Sequence, residues 1–164
     1  MANNPQNEPI TVRIDSLATG GSCAGTITAP EALCGKKAFI RGAIPGELVE
    51  AEVTYSKKNF VEAKAVSILN SSPERVEPPC TLFGECGGCD LQHINLPAQR
   101  RLKQSMVEDL LRIHGGVEAN EGVSLLGEQL PGLNYRRRMS FHINKKAEFG
   151  LYRKNGRSIV ELSS

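Results

Sequence analysis

The sequence predicts a mainly β protein with one α-helix, an N-terminal OB-like barrel followed by a partial α+β region. Three observations carry this reading. From Ile10 to Leu69, short strand-like runs alternate with Gly/Pro turns, and no helical period interrupts them. A single helical period follows between Pro97 and His114. Alternating segments then return, punctuated by Asn155-Gly156.

The barrel elements follow from local pattern. Ile10, Val12 and Ile14 alternate with Thr11, Arg13 and Asp15, the period of a half-buried strand. Gly20, Gly21 and Gly25 break up a small-residue stretch before Thr26-Ile27-Thr28, and Lys37–Arg41 is a third strand. Pro45-Gly46 predicts a type II turn, with Pro presetting φ and Gly supplying the positive φ. Leu48–Tyr55 and Phe60–Leu69 form a further pair across the polar link Ser56-Lys57-Lys58-Asn59. Five short strands of this kind close most simply into a small barrel. Asn70-Ser71-Ser72-Pro73 marks the end of this unit. The expected organisation is a loose tail over 1–9, the barrel over 10–70 and a second, incomplete unit over 71–164.

In that second unit a helix opens at Pro97 and stops at Gly115-Gly116. Leu102, Met106, Leu110 and Ile113, widened by Val107 and Leu111, form a stripe expected to face the core. Tyr135–Ile143 alternates and predicts a strand, and Glu148–Arg153 and Arg157–Leu162 predict a hairpin around Asn155-Gly156. The hairpin runs into Ser164 without a further partner strand, so a frayed tail is expected.

Composition limits the function classes. Of 164 residues, 40% are apolar and 23% charged, ordinary for a soluble globular protein. No run approaches the ~20 apolar residues of a membrane span, and the N-terminus lacks a signal peptide's basic and apolar regions. Five cysteines without framework spacing argue for a reduced compartment, and a cytoplasmic protein is expected. The net charge of +2 is uneven: residues 97–164 hold 12 Lys/Arg against 7 Asp/Glu, whereas 1–96 hold 8 against 11. A basic second half suits a polyanion.

The most informative segment is Cys80-Thr81-Leu82-Phe83-Gly84-Glu85-Cys86-Gly87-Gly88-Cys89. Three thiols at this spacing can face one metal, and the Gly pair lets the backbone turn tightly. From spacing alone three readings stand: an iron–sulfur cluster with a fourth cysteine elsewhere, a zinc site completed by His93, or no metal. Cys23 and Cys34 fall in the barrel and are expected as small buried hydrophobes.

Phe83 through His93, continuing into Pro97-Ala98-Gln99, resembles the RNA 5-methyluridine methyltransferase family. Leu133-Asn134-Tyr135-Arg136-Arg137-Arg138-Met139 and Phe149-Gly150-Leu151-Tyr152-Arg153 are similar to its following strands. The opening barrel, with Gly20-Gly21, Gly25 and Ile44-Pro45-Gly46-Glu47, looks like the TRAM domain of those enzymes. The resemblance covers residues 10–162. It implies an iron–sulfur domain after the barrel and a [4Fe–4S] cluster, with Cys80, Cys86 and Cys89 matching three of four ligands and the fourth lying past Ser164. His93 then becomes a packing or hydrogen-bonding residue. It also implies S-adenosylmethionine and the catalytic residues only in a full-length parent, so the chain is expected to be an N-terminal fragment with no catalytic residue of its own.

What such a fragment offers is a grip on structured RNA, ribosomal or transfer; neither membrane nor DNA is an expected partner. Lys57 and Lys58 in the barrel link, Arg136, Arg138 and His142 on one strand face, and Arg153, Lys154 and Arg157 in the hairpin are the candidate contacts. Tyr55 and Phe60 flank the lysines and can stack on bases, although Phe60 is expected in the core. The alternatives are a free-standing RNA-binding module without catalysis and a zinc-binding adaptor.

Overall fold

The computed structural model describes residues 9–118, 122–127, 129–154, 156 and 158–161. Strands β1 (Ile10–Leu17), β2 (Ser22–Ala29), β3 (Lys37–Arg41), β4 (Leu48–Ser56) and β5 (Phe60–Asn70) close a barrel in the order β1-β2-β3-β5-β4. All its pairings are antiparallel except β3 with β5, where Lys37 lies opposite Phe60 and Arg41 opposite Lys64. The alternation in β1 changes phase midway. Ile10, Val12 and Ile14 point inward, then Leu17 does. A bulge between Ile14 and Ser16 inserts one residue against β2 and moves the inward side by one. Gly25 is required on β2, because a Cβ there would sit 2.5 Å from the Arg13 carbonyl oxygen.

Inside, Ile10, Val12, Ile14, Leu17, Ile27, Ile40, Val49 and Val61 form one apolar cluster with Cys23 and several alanines. Burial, and next the charge of Glu47, push the Cys23 thiol up to about 12, so it stays protonated and donates to the Ala43 carbonyl at 3.2 Å. Cys34 departs from expectation. It lies exposed beside the Glu31–Leu33 turn, its thiol on the Thr28 carbonyl at 3.1 Å. Phe60 departs as well: Val61 and Ala63 take the inward positions of β5, which places Phe60 on the outer face.

Pro45-Gly46 forms the expected corner, with Gly46 at φ 89° and the Glu47 amide donating to the Ile44 carbonyl at 3.1 Å. This turn places Glu47, 0% exposed, beneath the segment that leaves the barrel. The Arg75 guanidinium clamps its carboxylate in a fork, Nε to Oε1 at 2.7 Å and Nη2 to Oε2 at 2.7 Å. Backbone amides of Ser72 (3.1 Å) and Ile44 (2.9 Å) fill the remaining acceptor sites.

Helix α1 (Leu96–Gly115) begins at Asn95, whose side chain accepts from the Ala98 amide at 2.9 Å, and ends at Gly116 with φ 61°. A second cluster of Ile44, Ile94 and Ala98, with Leu91 and Leu102, joins the helix to the barrel turn. The expected stripe is core-facing only over its first half. Leu102 and Met106 pack on the barrel, whereas Ile113 is 63% exposed and Val107 and Leu111 are exposed too. Beyond Met106 the stripe is therefore largely open to solvent.

Strands β6 (His142–Ile143), β7 (Phe149–Tyr152) and β8 (Ile159–Glu161) form a three-stranded antiparallel sheet in that order. The strand expected over Tyr135–Ile143 is realised only at its last two residues, and residues 133–141 are exposed throughout. Extended backbone needs a neighbour for its amides and carbonyls. The pairing of β6 with β7 reaches only His142 and Ile143. The hairpin strands are shorter than expected, and Asn155, Arg157 and Leu162 lie outside the described residues.

Burial by itself raises the Glu47 carboxyl, but hydrogen bonds from Arg75, Ser72 and Ile44 outweigh it and hold the group below its ordinary value. A folded value below the unfolded one stabilises fully above the unfolded value of ~4.3 and stops doing so as pH falls through the folded value. Urea unfolding is therefore expected to show stability falling below about pH 4, with a smaller fall in Glu47→Gln. Arg75→Met leaves a buried charge unpaired and is expected to cost about 3–5 kcal/mol at pH 7.

Candidate nucleic-acid interface and cysteine loop

The cysteine loop is held from both sides. On the barrel side, the Val76 amide donates to the His93 carbonyl at 3.0 Å and Asn95 to the Glu74 carbonyl at 2.9 Å, closing the segment that carries the loop. His93 is 3% exposed and its Nε2 lies 3.2 Å from the Ala43 carbonyl oxygen, so the Nε2–H tautomer donates there. Burial, above all, lowers its pKa and keeps the ring neutral. Its Nδ1 is buried and has no hydrogen-bond partner among the described residues. Phe83 lies on this ring, centroids 5.4 Å apart. Gly21 completes the contact, since a Cβ there would fall 2.4 Å from the Asp90 Cβ.

On the other side, β7 runs against the loop. The Gly87 amide donates to the Tyr152 carbonyl and the Lys154 amide to the Glu85 carbonyl, both at 2.9 Å. Lys154 Nζ donates to the Cys89 carbonyl at 3.1 Å, pairs with Asp90 at 3.0 Å and lies 5.2 Å from the Phe83 ring centroid. Arg153 pairs with Glu85. The adjacent glycines answer to this packing: a Cβ on Gly87 would meet the Tyr152 carbonyl oxygen, and one on Gly88 the Leu151 Cδ1, each at 2.9 Å. Neither takes positive φ, so what the pair supplies here is room for the hairpin. The tail sheet is thus not solitary, because β7 has the cysteine loop as a further neighbour.

All five cysteines are free thiols; Cys80 and Cys89 are exposed and Cys86 half-buried. Cys86 Sγ accepts weakly from the Gly88 amide at 3.4 Å, and the Cys80 amide donates to Gln92 Oε1 at 3.3 Å. Among the described residues, no three His, Cys, Asp or Glu side chains converge closely enough to hold a metal ion. His93 is therefore not brought together with the cysteines, and its Nε2 is committed to the barrel. In chemical type the three free thiols suit thiolate ligation by iron or zinc.

The basic candidates occupy separate elements. Lys57 and Lys58 are exposed in the β4–β5 link, and Arg136 and Arg138 are exposed in the irregular segment before β6. His142 and Arg153 line one cavity of about 410 Å³ with Tyr152 and Glu148, and the His142 ring stacks on Tyr152 at 3.8 Å. Arg153 reaches this cavity while paired with Glu85. Sequence reasoning missed Arg75 and Lys154 as organising residues, and missed Phe39, which lies edge-to-face with Phe60 at 5.6 Å. No local pattern singles out one Arg or Lys among 20; each is marked only by its partner far along the chain.

A five-stranded closed barrel with β3 parallel to β5 and a basic link defines a small OB-like module, and residues 6–66 match the TRAM domain. A 23S rRNA (uracil(1939)-C(5))-methyltransferase RlmD of Vibrio campbellii is 39% identical over 131 residues, 78% of this chain and 30% of that protein. Its counterpart from Nitrosococcus oceani is 34% identical over 168 residues, covering 98% of this chain and 36% of the relative. An uncharacterized RNA methyltransferase of Aquifex aeolicus is 34% identical over 160 residues, 96% of this chain and 35% of that protein. Over nearly its whole length the chain is similar in sequence to proteins named as RNA (uracil-C5)-methyltransferases, and it spans about a third of the length of the curated relatives it matches. Among the described residues no helix is long and apolar enough to cross a membrane.

Removing the Lys154 ammonium is expected to free the hairpin from the cysteine loop without unfolding the barrel. In Lys154→Met, amide exchange at Gly87 should accelerate about tenfold or more, as expected for local opening, while Ile40 and Val61 keep their protection; NMR-detected exchange measures both.

Proposed function

We propose that this chain is the RNA-gripping part of an S-adenosylmethionine-dependent RNA (uracil-C5)-methyltransferase acting on ribosomal RNA in the cytoplasm. The observation that carries this is continuous similarity, through barrel, cysteine loop and hairpin alike, to relatives named as methyltransferases of 23S rRNA. The barrel and the basic segments bind structured RNA through phosphates. Lys57 and Lys58 contribute from the barrel, and Arg136, Arg138 and His142 from the segment ahead of the hairpin. Arg153, tied to Glu85, positions the loop as well as the RNA.

Cys80, Cys86 and Cys89 are proposed as three ligands of a [4Fe–4S] cluster. Their free thiols, those of Cys80 and Cys89 exposed, support this, and one further thiolate completes the set. When bound, the cluster cross-links a loop that otherwise relies on Lys154, Asp90 and the glycine contacts. These residues present the loop between barrel and hairpin; they perform no step of methyl transfer.

Two measurements test the proposal. Anaerobic preparation followed by iron, sulfide and zinc analysis is expected to yield iron with matching sulfide, lost in Cys86→Ser; zinc without sulfide refutes the cluster. RNA affinity is expected to fall linearly in log–log form with salt. Arg136→Ser and Arg138→Ser should each lower that slope by about 1. Binding that ignores salt refutes the phosphate grip.

A further inference from the structure

We infer that the outer barrel face where β3, β4 and β5 meet is a stacking site for unpaired RNA bases, built on Phe39, Tyr55 and Phe60 with Lys57 as its phosphate contact. The inference rests on the proposed RNA binding and assigns it a place.

Aromatic side chains are scarce here: five Phe, three Tyr and no Trp in the whole chain. Three of those eight sit on this one face. Phe39 stands between inward-facing Ala38 and Ile40, and Phe60 beside inward-facing Val61, so neither fills the core. The pairing of β3 with β5 brings them together edge-to-face, centroids 5.6 Å apart and planes at 82°. In that arrangement each ring limits the other's rotation. Tyr55, 49% exposed, stands at the end of β4 on the other side of the link.

The position of Lys57 shows where the ring faces look. Its ammonium lies over both the Tyr55 and the Phe60 rings, 5.7 and 5.5 Å from their centroids. Both π-faces are therefore turned toward a site now held by an exposed, flexible cation. A nucleobase presents a larger surface to the same faces, and its phosphate gives the ammonium a new partner nearby. On the far side of Phe39, not reached by Tyr55 or Phe60, lies a cavity of about 250 Å³ lined also by Thr19, Thr54 and Glu62. The hydroxyls and carboxylate there can bond the edge of a base stacked on Phe39. Stacking surfaces next to a cationic lip fit a single strand better than a duplex, whose bases are already stacked.

The test uses the whole chain and a single-stranded RNA carrying 2-aminopurine, followed by anisotropy and by base fluorescence. Wild type is expected to quench the fluorophore on binding. Phe39→Leu and Phe60→Leu should each weaken binding about tenfold with an unchanged salt slope, whereas Lys57→Gln should lower the slope by about 1. Tyr55→Leu, at an exposed position, serves if either Phe variant unfolds, and the same loss of quenching is expected. Leucine variants that bind and quench like wild type overturn this site, as does a duplex that binds as tightly as the strand; in both cases RNA binding itself stands. No binding of any RNA by wild type overturns the site and the proposed function together.

Discussion

The arrangement of everything after the barrel depends on one buried carboxylate. Glu47 has no solvent contact, and its two oxygens take four hydrogen bonds, two from Arg75 and one each from the Ser72 and Ile44 amides. An ion in such a place is tolerable only when every acceptor site is filled. Arg75 is thus fixed in position as well as paired, and its Nη2 also reaches the Gly42 carbonyl at 2.9 Å. The interaction ties the β3–β4 turn to the segment leaving β5. From there Val76 and Asn95 bond across to one another's strands of loop and present the cysteines.

The loop itself is layered. Ala43, His93, Phe83 and Lys154 stack in sequence from the barrel outward, so the hairpin reads the position of the barrel through two rings and an ammonium. Small residues permit the approach on both sides: Gly21 toward Asp90, and Gly87 with Gly88 toward β7. A loop clamped in this way carries its three thiols within one short segment without their converging on a metal ion among the described residues. Ligation of iron, as proposed, then needs local movement of side chains and of Cys80 and Cys89, the more exposed pair.

Much of the barrel was legible because its signals are local. Alternation marked β1, and the runs Lys37–Arg41, Leu48–Tyr55 and Phe60–Leu69 fall on β3, β4 and β5 almost residue for residue. The helix was bounded by its own chemistry, with Pro97 at one end and Gly115-Gly116 at the other, whereas the Asn95 cap emerged only in the structure. Alternation failed at Tyr135–Phe141, where the pattern was present but, among the described residues, no partner strand was. The same limit explains Ile113: a helical period shows which residues share a face, and only the tertiary neighbours decide how much of that face is covered.

Residue type and spacing alone determined the five-stranded unit, the helix between Pro97 and Gly115-Gly116, the presence of three cysteines in one loop and the likeness to a family of RNA methyltransferases. Those features rest on interactions within a few residues, or on motifs that can be compared directly. Tertiary structure decided that Glu47 meets Arg75 and that Lys154 holds the cysteine loop. It also set Phe39 and Phe60 side by side on the outside of the barrel. These pairs join positions 21 to 65 residues apart, and only the closure of the sheet and the path of the chain around it bring such groups within reach.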